Sequence, residues 1–446
     1  MIFPGQVLHA PARGSFTRLS HTKGTDVKYI SIGFIAATLA AAVPALAQAP
    51  TDSQQLDAAW DEFQQATADS AAFLRQHPFY RDPENRASAY AYLSSLMLAR
   101  IEEDIVFDGD FPYFRVLDHR IREGGDNPDQ RYLMATLNGG ETYRVWGRLG
   151  KNRRLDFQIY AGDPYVAGSG GRSAAALSFD QLKVKPDGSF EVWVSPDKRP
   201  GNWLENPKDA NQIWVRQIFS DWRSETPGDV HIDRVGHEGD LKPVLTDAAM
   251  AKRLRKAAAD LRTHVRVWPT MVDARYLNRS ANTISEPSDP SALGGVPGRF
   301  MVGGNFDLAP DEALIVRTWP ASGNYQGIQL ADLWFSSLEY GNRQTSLTGD
   351  QATKSADGSY YFVIAGRDPG VPNWLDTTGR RRGAILLRYD GMQEKTFDTA
   401  RYPTATKVKL TELRQHLPRD MPTTSAEQRA KDMAARRRHV QLRFDN

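Results

Sequence analysis

The 446-residue chain contains no cysteine. Disulfides, thiolate metal sites and a cysteine nucleophile are therefore excluded. Common catalytic fingerprints are missing too: there is no Gly-x-Ser-x-Gly elbow, phosphate loop, dinucleotide motif or His-Glu-x-x-His. The glycine-rich stretch 168–173, GSGGRS, lacks the lysine and following helix of a phosphate loop and reads as a turn. No cofactor and no metal site is expected. A charge excess of one sign is also lacking, with 56 Lys and Arg against 54 Asp and Glu.

Long apolar runs are absent after the N-terminal region. The one run, residues 29–43, follows Lys28 and precedes Ala45-Leu46-Ala47. A basic start, an apolar middle and small residues at a cleavage position are the parts of a secretory signal, predicting cleavage after Ala47 and a soluble periplasmic or secreted product. The run falls short of the roughly 20 apolar residues that cross a bilayer. Residues 1–26 are a long lead-in to it, as expected if the start codon is assigned too far upstream. Residues 1–47 hold four basic residues and one acid, leaving 52 basic and 53 acidic in the mature chain. No membrane span is expected there, and nothing favours nucleic acid as a partner. The cluster Arg436 to Arg438 near the C-terminus reads as a solvated face.

Residues 48–123 read as helical. Leu56, Trp60, Phe63 and Leu74 fall on one helical face, and Tyr90, Leu93, Met97, Ile101 and Ile105 on another, with Asp82 and Pro83 as its start signal. From Gly124 onward short alternating runs replace helical spacing, predicting a first β-sandwich over 124–240. Met250, Leu254, Ala257, Leu261 and Val265 mark a helix within a 241–290 helix-and-linker segment. Strands resume over 291–400, and 401–446 reads as a helical, basic tail.

The two strand-rich stretches are copies of one another. Gln158 aligns with Gln329, Asp187-Gly188-Ser189-Phe190 with Asp357-Gly358-Ser359-Tyr360, Asn202-Trp203-Leu204-Glu205 with Asn373-Trp374-Leu375-Asp376, and Arg216 with Arg388. The four matches occur in order at nearly constant offset, predicting two antiparallel β-sandwich domains, jelly-roll-like and related by an internal repeat, in a mainly β protein with helical additions.

HPFYRDPENRASAYAYL, GGDNPDQRYLMATL, the Gly-Asn-Trp-Leu loop and the VRQIFSDW strand resemble the bacterial domain-of-unknown-function family twelve-fourteen. The resemblance covers most of the mature chain. It implies jelly-roll domains, sometimes paired as a double jelly roll, with helical additions. It implies no settled activity and carries over no catalytic residue. The second copy replaces RQIF with RYDG, so a role for Gln217 is not shared by both halves.

The repeated loops supply candidate ligand-binding residues: Asn202, Trp203, Glu205 and Arg216 in one copy, Asn373, Trp374, Asp376 and Arg388 in the other. An exposed tryptophan offers a flat face for a sugar or aromatic ring, the polar neighbours offer hydrogen bonds, and arginine suits an acidic group. The same residues also fit a plug for the open end of a sandwich, because what two copies share is often what the fold requires. Three functions stay open: binding, with or without processing, of a carbohydrate-like or polar-aromatic small molecule; a glycan hydrolase or lyase using carboxylates such as Glu205, Asp376, Glu191 and Asp221; and a non-catalytic assembly protein. HIDRVGHEGD packs His231, Asp233, His237, Glu238 and Asp240 together but matches no zinc spacing. His77 reads as a helix end, and His119 and His264 have no neighbouring nucleophile motif.

Overall fold

The computed structural model describes residues 51–444 apart from 292–295, 297 and 395. The proposed secretory signal lies outside the described residues, among which no helix is long and apolar enough to cross a membrane.

Three helices open and interrupt the chain: α1 (Asp52–Gln76), α2 (Pro83–Arg100) and α3 (Asp247–Val272); α4 (Ala426–Arg443) closes it. Thr51 starts α1 with a reciprocal cap, its hydroxyl receiving the Gln54 amide while the Gln54 side chain receives its own. Both α2 and α3 run on into a π-helical turn, Ile101–Val106 and Asp273–Leu277. The three helices pack on one another through Ala59, Ala66, Ala89, Ala257 and Ala258 together with Phe63, Leu74, Leu93, Leu96, Leu254 and Leu261. This corrects the expected helical faces: Trp60 is 52% exposed and Tyr90 is also exposed, while Phe63, Leu74 and Leu93 of the same stripes are buried, because the apolar stripe that meets the neighbouring helices is narrower than the spacing suggests.

The strands are β1 (Arg115–Leu117), β2 (Gln130–Thr136), β3 (Tyr143–Arg148), β4 (Arg154–Ala161), β5 (Arg172–Leu177), β6 (Ser189–Ser195), β7 (Asn202–Glu205), β8 (Ala210–Ile218) and β9 (Asp229–Arg234) in the first half. The second half holds β10 (Phe300–Asp307), β11 (Glu312–Thr318), β12 (Tyr325–Ala331), β13 (Ser346–Thr348), β14 (Tyr360–Ala365), β15 (Trp374–Asp376), β16 (Arg382–Asp390) and β17 (Thr404–Lys409). The first half orders its sheets β1-β2-β8-β4-β5 and β7-β6-β3-β9; the second orders them β10-β16-β12-β13 and β15-β14-β11-β17. Apart from β1, adding eight to each strand number of the first half gives the second, so the internal repeat is a repeat of topology. Each half is a sandwich with its own apolar core, one around Phe157, Val192 and Val215, the other around Phe306, Phe362 and Ile385. Pairing is antiparallel except for β6 with β7 and β14 with β15, one parallel pair per half. Two strands lie outside the stretches read as β from sequence: β1 precedes Gly124, and β17 falls in the expected tail.

Side chains alternate along the strands as a pleat requires. In β8, Ile213 and Val215 enter the sandwich core while Trp214 and Arg216 face away; in β16, Ile385 and Leu387 enter the core while Leu386 and Arg388 face away. The outward faces of these two sheets are not solvent-exposed, because the helical layer covers part of them. Leu386 and Ala384 share a core with Trp334, Tyr92 and α3. Trp334 is fully buried, donates from Nε1 to the Asn85 carbonyl at 2.9 Å, and stacks on Tyr92.

The GGDNPDQ segment joins the halves. Asn127 Nδ2 donates to the Tyr325 hydroxyl at 2.9 Å, and that hydroxyl donates to Asp129 at 2.7 Å. The tail completes the joint and corrects the reading of its arginines. Arg436 is buried, donates to the carbonyls of Tyr340 and Ser346, and lies over Trp222, while Arg443 donates to the Pro128 carbonyl. Only Arg437 and Arg438 of the cluster are solvated. An amphipathic helix can bury every third or fourth arginine where backbone carbonyls and aromatic faces await it.

Candidate functional site

The repeated Asn-Trp-Leu segments are the short parallel strands β7 and β15. Asn202 receives the Lys183 amide at 2.8 Å and donates to the carbonyls of Lys183 and Glu191. Asn373 does the same with Thr353, receiving its amide at 2.8 Å and donating to its carbonyl at 2.7 Å. Leu204 and Leu375 enter the two cores. Trp203 donates to the Ser195 hydroxyl, and Trp374 to the Ala365 carbonyl at 2.9 Å with Arg429 over its ring. Asp376 is buried against Arg343 and the Thr378 amide, whereas Glu205 is exposed. Apart from Glu205, these residues hold loops or fill cores, each in its own half.

Arg216 and Arg388 are placed differently. Both line one cavity of about 1100 Å³, enclosed between the helical layer and the outward faces of the β2-β8-β4 and β10-β16-β12 sheets. The repeat register carries them there: Gln158 lies opposite Trp214, Gln329 opposite Leu386, and each arginine is two residues further along its strand on the same face. Arg216 donates to Gln158 Oε1 at 2.8 Å and to the Tyr160 hydroxyl at 3.1 Å. Arg388 donates to Gln329 Oε1 and to the Gly125 carbonyl. Of the carboxylates considered from sequence, Glu191 pairs with Arg144 and Asp221 caps its own turn, both away from this cavity.

Aromatic rings form much of the wall: Tyr132 and Trp214 from the first sandwich, Tyr165 from the β4–β5 loop, Trp268 and Tyr276 from α3 and its π turn, and Phe335 from the second half. Phe335 has a left-handed backbone (φ 65°), a strained conformation for a large residue. Asp332 holds it there by receiving the amides of Trp334 and Ser336, and the Gly125 amide donates to the Phe335 carbonyl at 2.7 Å. Gly125 is itself left-handed (φ +64°), and a Cβ on it would lie 2.7 Å from the Phe335 ring. Glycine is needed at that point of the GGDNPDQ motif.

Ionisable groups line the α2 and α3 side. His264 Nε2 lies 2.6 Å from Asp163 Oδ2, and its Nδ1 lies 2.7 Å from the Asp260 carbonyl, which as an acceptor requires a proton on Nδ1. Burial disfavours the imidazolium, yet the hydrogen bond it donates to Asp163 carries the His264 pKa above its usual value. Burial raises Asp163, and His264 more than reverses it, so that carboxyl sits below its usual range. Glu123, which accepts from Trp268 Nε1 at 3.3 Å, is pushed up by burial and by Glu103 against the pull of Arg100. Glu103 is held down by Arg100 and Arg115 despite its burial. Among the described residues, no group of three His, Asp or Glu side chains is placed to hold a metal ion.

Sequence reasoning reached two of these residues, Arg216 and Arg388, and set His264 aside for want of a neighbouring motif. Its partner Asp163 lies 101 positions away, a separation at which no local signal exists. Tyr132, Trp214 and Glu123 were missed; the signal that could have found Trp214 was its place two residues before Arg216, on the same face of one strand.

The family model described as "Protein of unknown function (DUF1214)" matches residues 134–219. Among solved structures, an uncharacterized protein from Burkholderia cenocepacia is similar over 81% of this chain and 99% of its own, at 30% identity and a TM-score of 0.73. The VPA0106 protein from Vibrio parahaemolyticus is more distant, at 13% identity and a TM-score of 0.41 over 72% of this chain and 98% of its own. No curated protein matches. On the Burkholderia likeness and the family match together, the chain belongs to the DUF1214 family.

Proposed function

We propose that this member of the DUF1214 family is an exported binding protein for a polar-aromatic small molecule, received in the cavity between the helical layer and the two sandwiches. The observation that carries the reading is the cavity itself: about 1100 Å³, with aromatic rings on several sides and charged side chains converging from both sandwiches and the helical layer. A concave site with aromatic walls and placed polar groups is where a small molecule binds. Two further features support it. Both π-helical turns of the helical layer contribute to the wall, and such turns are frequent at functional sites. The strained Phe335 faces the same space. Export rests on the N-terminal sequence alone.

The test is a thermal-shift screen of the purified protein against sugars, steroids and aromatic acids. A ligand at about 100 times its Kd adds about 2.7 kcal/mol. Trp214→Ala should abolish the shift and Trp374→Ala should keep it. No shift with any class, or a shift lost only in Trp374→Ala, would overturn the reading.

A second reading, a hydrolase acting on glycans, is favoured by one observation. Glu123 and Asp163 line the same cavity with proton affinities pushed in opposite directions, the pattern that separates an acid from a base. Oligosaccharide cleavage that Glu123→Gln removes would favour it over binding alone.

A further inference from the structure

We infer that the cavity's ligand carries an oxyanion, a carboxylate or phosphate attached to its aromatic body, and that Arg216 and Arg388 receive it. The inference rests on the cavity being a binding site and adds the chemical class of what it binds.

The cavity wall contains four arginines of low exposure, and they divide into two kinds. Arg100 is paired with Glu103 at 2.5 Å, and Arg299 grips both oxygens of Asp390 at 2.5 and 2.7 Å. Arg216 and Arg388, 6% and 7% exposed, donate only to neutral oxygens: a glutamine and a tyrosine hydroxyl in one case, a glutamine and a backbone carbonyl in the other. Neither makes an ion pair among the described residues. A guanidinium taken out of water without a carboxylate bonded to it is costly, and the cost is met here twice at repeat-related positions.

The acids that share the cavity do not supply the missing charge. Asp163 is bound to His264, Glu103 to Arg100 and Arg115, Asp104 to Arg100 and Lys256, and Asp260 to Lys256, while Glu286 and Asp289 are exposed. Asp126 and Asp129 act on Arg388 through space, but Asp126 receives the Ser337 amide and hydroxyl, and Asp129 receives the Tyr325 hydroxyl. Glu123 accepts from Trp268. The rings beside Arg216, Tyr132 and Trp214 at 5.9 and 5.5 Å, attract a cation only weakly by comparison with an anion.

Geometry makes the pair a receptor. Arg216 lies 5.9 Å from the Tyr132 ring, whose hydroxyl receives the Asn127 amide at 3.0 Å, and Arg388 donates to the Gly125 carbonyl two residues before Asn127, so the two guanidiniums approach a common region of the cavity from the two sandwiches. Gln158 and Gln329 each fix one edge of an arginine fork, leaving further N–H groups for a planar or tetrahedral oxyanion. The aromatic wall then holds the ligand's body.

Isothermal titration of the purified protein with naphthalene-2-carboxylate, 2-naphthyl phosphate and 2-naphthamide tests the inference. At least one of the two anions should bind ten times or more as tightly as the amide, and the tighter of them identifies the oxyanion. Arg216→Met and Arg388→Met should each reduce that preference at least fivefold while changing amide affinity by less than twofold. Amide and anions binding alike to the unmodified protein would overturn the inference and leave the binding site standing; this comparison needs no variant to fold. Failure of all three probes to bind would overturn the binding-site reading and the inference with it.

Discussion

His264 Nε2 and Asp163 Oδ2 stand 2.6 Å apart, tying α3 to the loop that follows β4. This bond closes one side of the cavity, and both partners titrate because of it. Asp163 is held below its ordinary range and His264 above its own. The Asp163 contribution to stability is present above about pH 4 and lost as pH falls through its lowered value. The His264 contribution is present below about pH 6.5 and lost as pH rises through its raised value.

Asp163→Asn should therefore cost most between about pH 4 and 6.5, by about 2 kcal/mol, the worth of a hydrogen bond to a charged group. The deficit should shrink toward pH 9. Urea unfolding of both proteins across that range checks it; a deficit independent of pH would contradict the pairing.

Asp332 predicts the opposite slope. Burial, against the pull of Arg380, pushes its pKa up to about 6 while it holds the Phe335 turn. Its folded value lies above the unfolded one, so the folded protein binds the extra proton, and the stability this confers is lost as pH rises from about 4 to 6. Asp332→Asn keeps the acceptor oxygen and removes the charge. Relative to the parent it should gain stability from pH 4.5 to pH 7.5, measured by chemical denaturation.

The repeated loops should behave as structure. Asn373→Ala leaves the Thr353 amide and carbonyl without their partner and should cost about 3 kcal/mol, and Asn202→Ala a similar amount. Neither change should alter the affinity of a cavity ligand, since neither residue lines the cavity. Unfolding and binding measured on the same preparations would separate the two effects.

Gly125→Ala places a Cβ against the Phe335 ring at a left-handed backbone position. A loss of more than 1 kcal/mol is expected. Gly188→Ala is a control with the same backbone sign (φ +82°) and open space around its Cβ, and should cost less. Equal losses would assign the effect to backbone conformation alone.

The fold was largely legible in the sequence because the repeat is written in residues the fold needs twice. Asn202 and Asn373 close equivalent loops, Leu204 and Leu375 fill equivalent cores, and Asp187 and Asp357 each receive the amide of the serine two residues on. Those same matches drew attention to Trp203 and Trp374, although the only repeated residues among the candidates that share a cavity are the arginines. The cavity was not legible because it is assembled from α2, four strands of the first half, α3 and strands of the second. No pattern of spacing links Glu123, Asp163, Trp214 and His264 before the chain folds. The exposure of Trp60 and Tyr90 was hidden for a related reason: helical spacing locates a stripe, but the packing of the neighbouring helices decides which part of it is covered.

The most direct test of the central claim, that the cavity and not the repeated loops receives the ligand, is hydrogen exchange with and without saturating naphthalene-2-carboxylate. Slowed exchange in residues 158–166, 211–216 and 261–276 is the predicted result. Protection confined to residues 183–205 and 353–377, with the cavity wall unchanged, would contradict it.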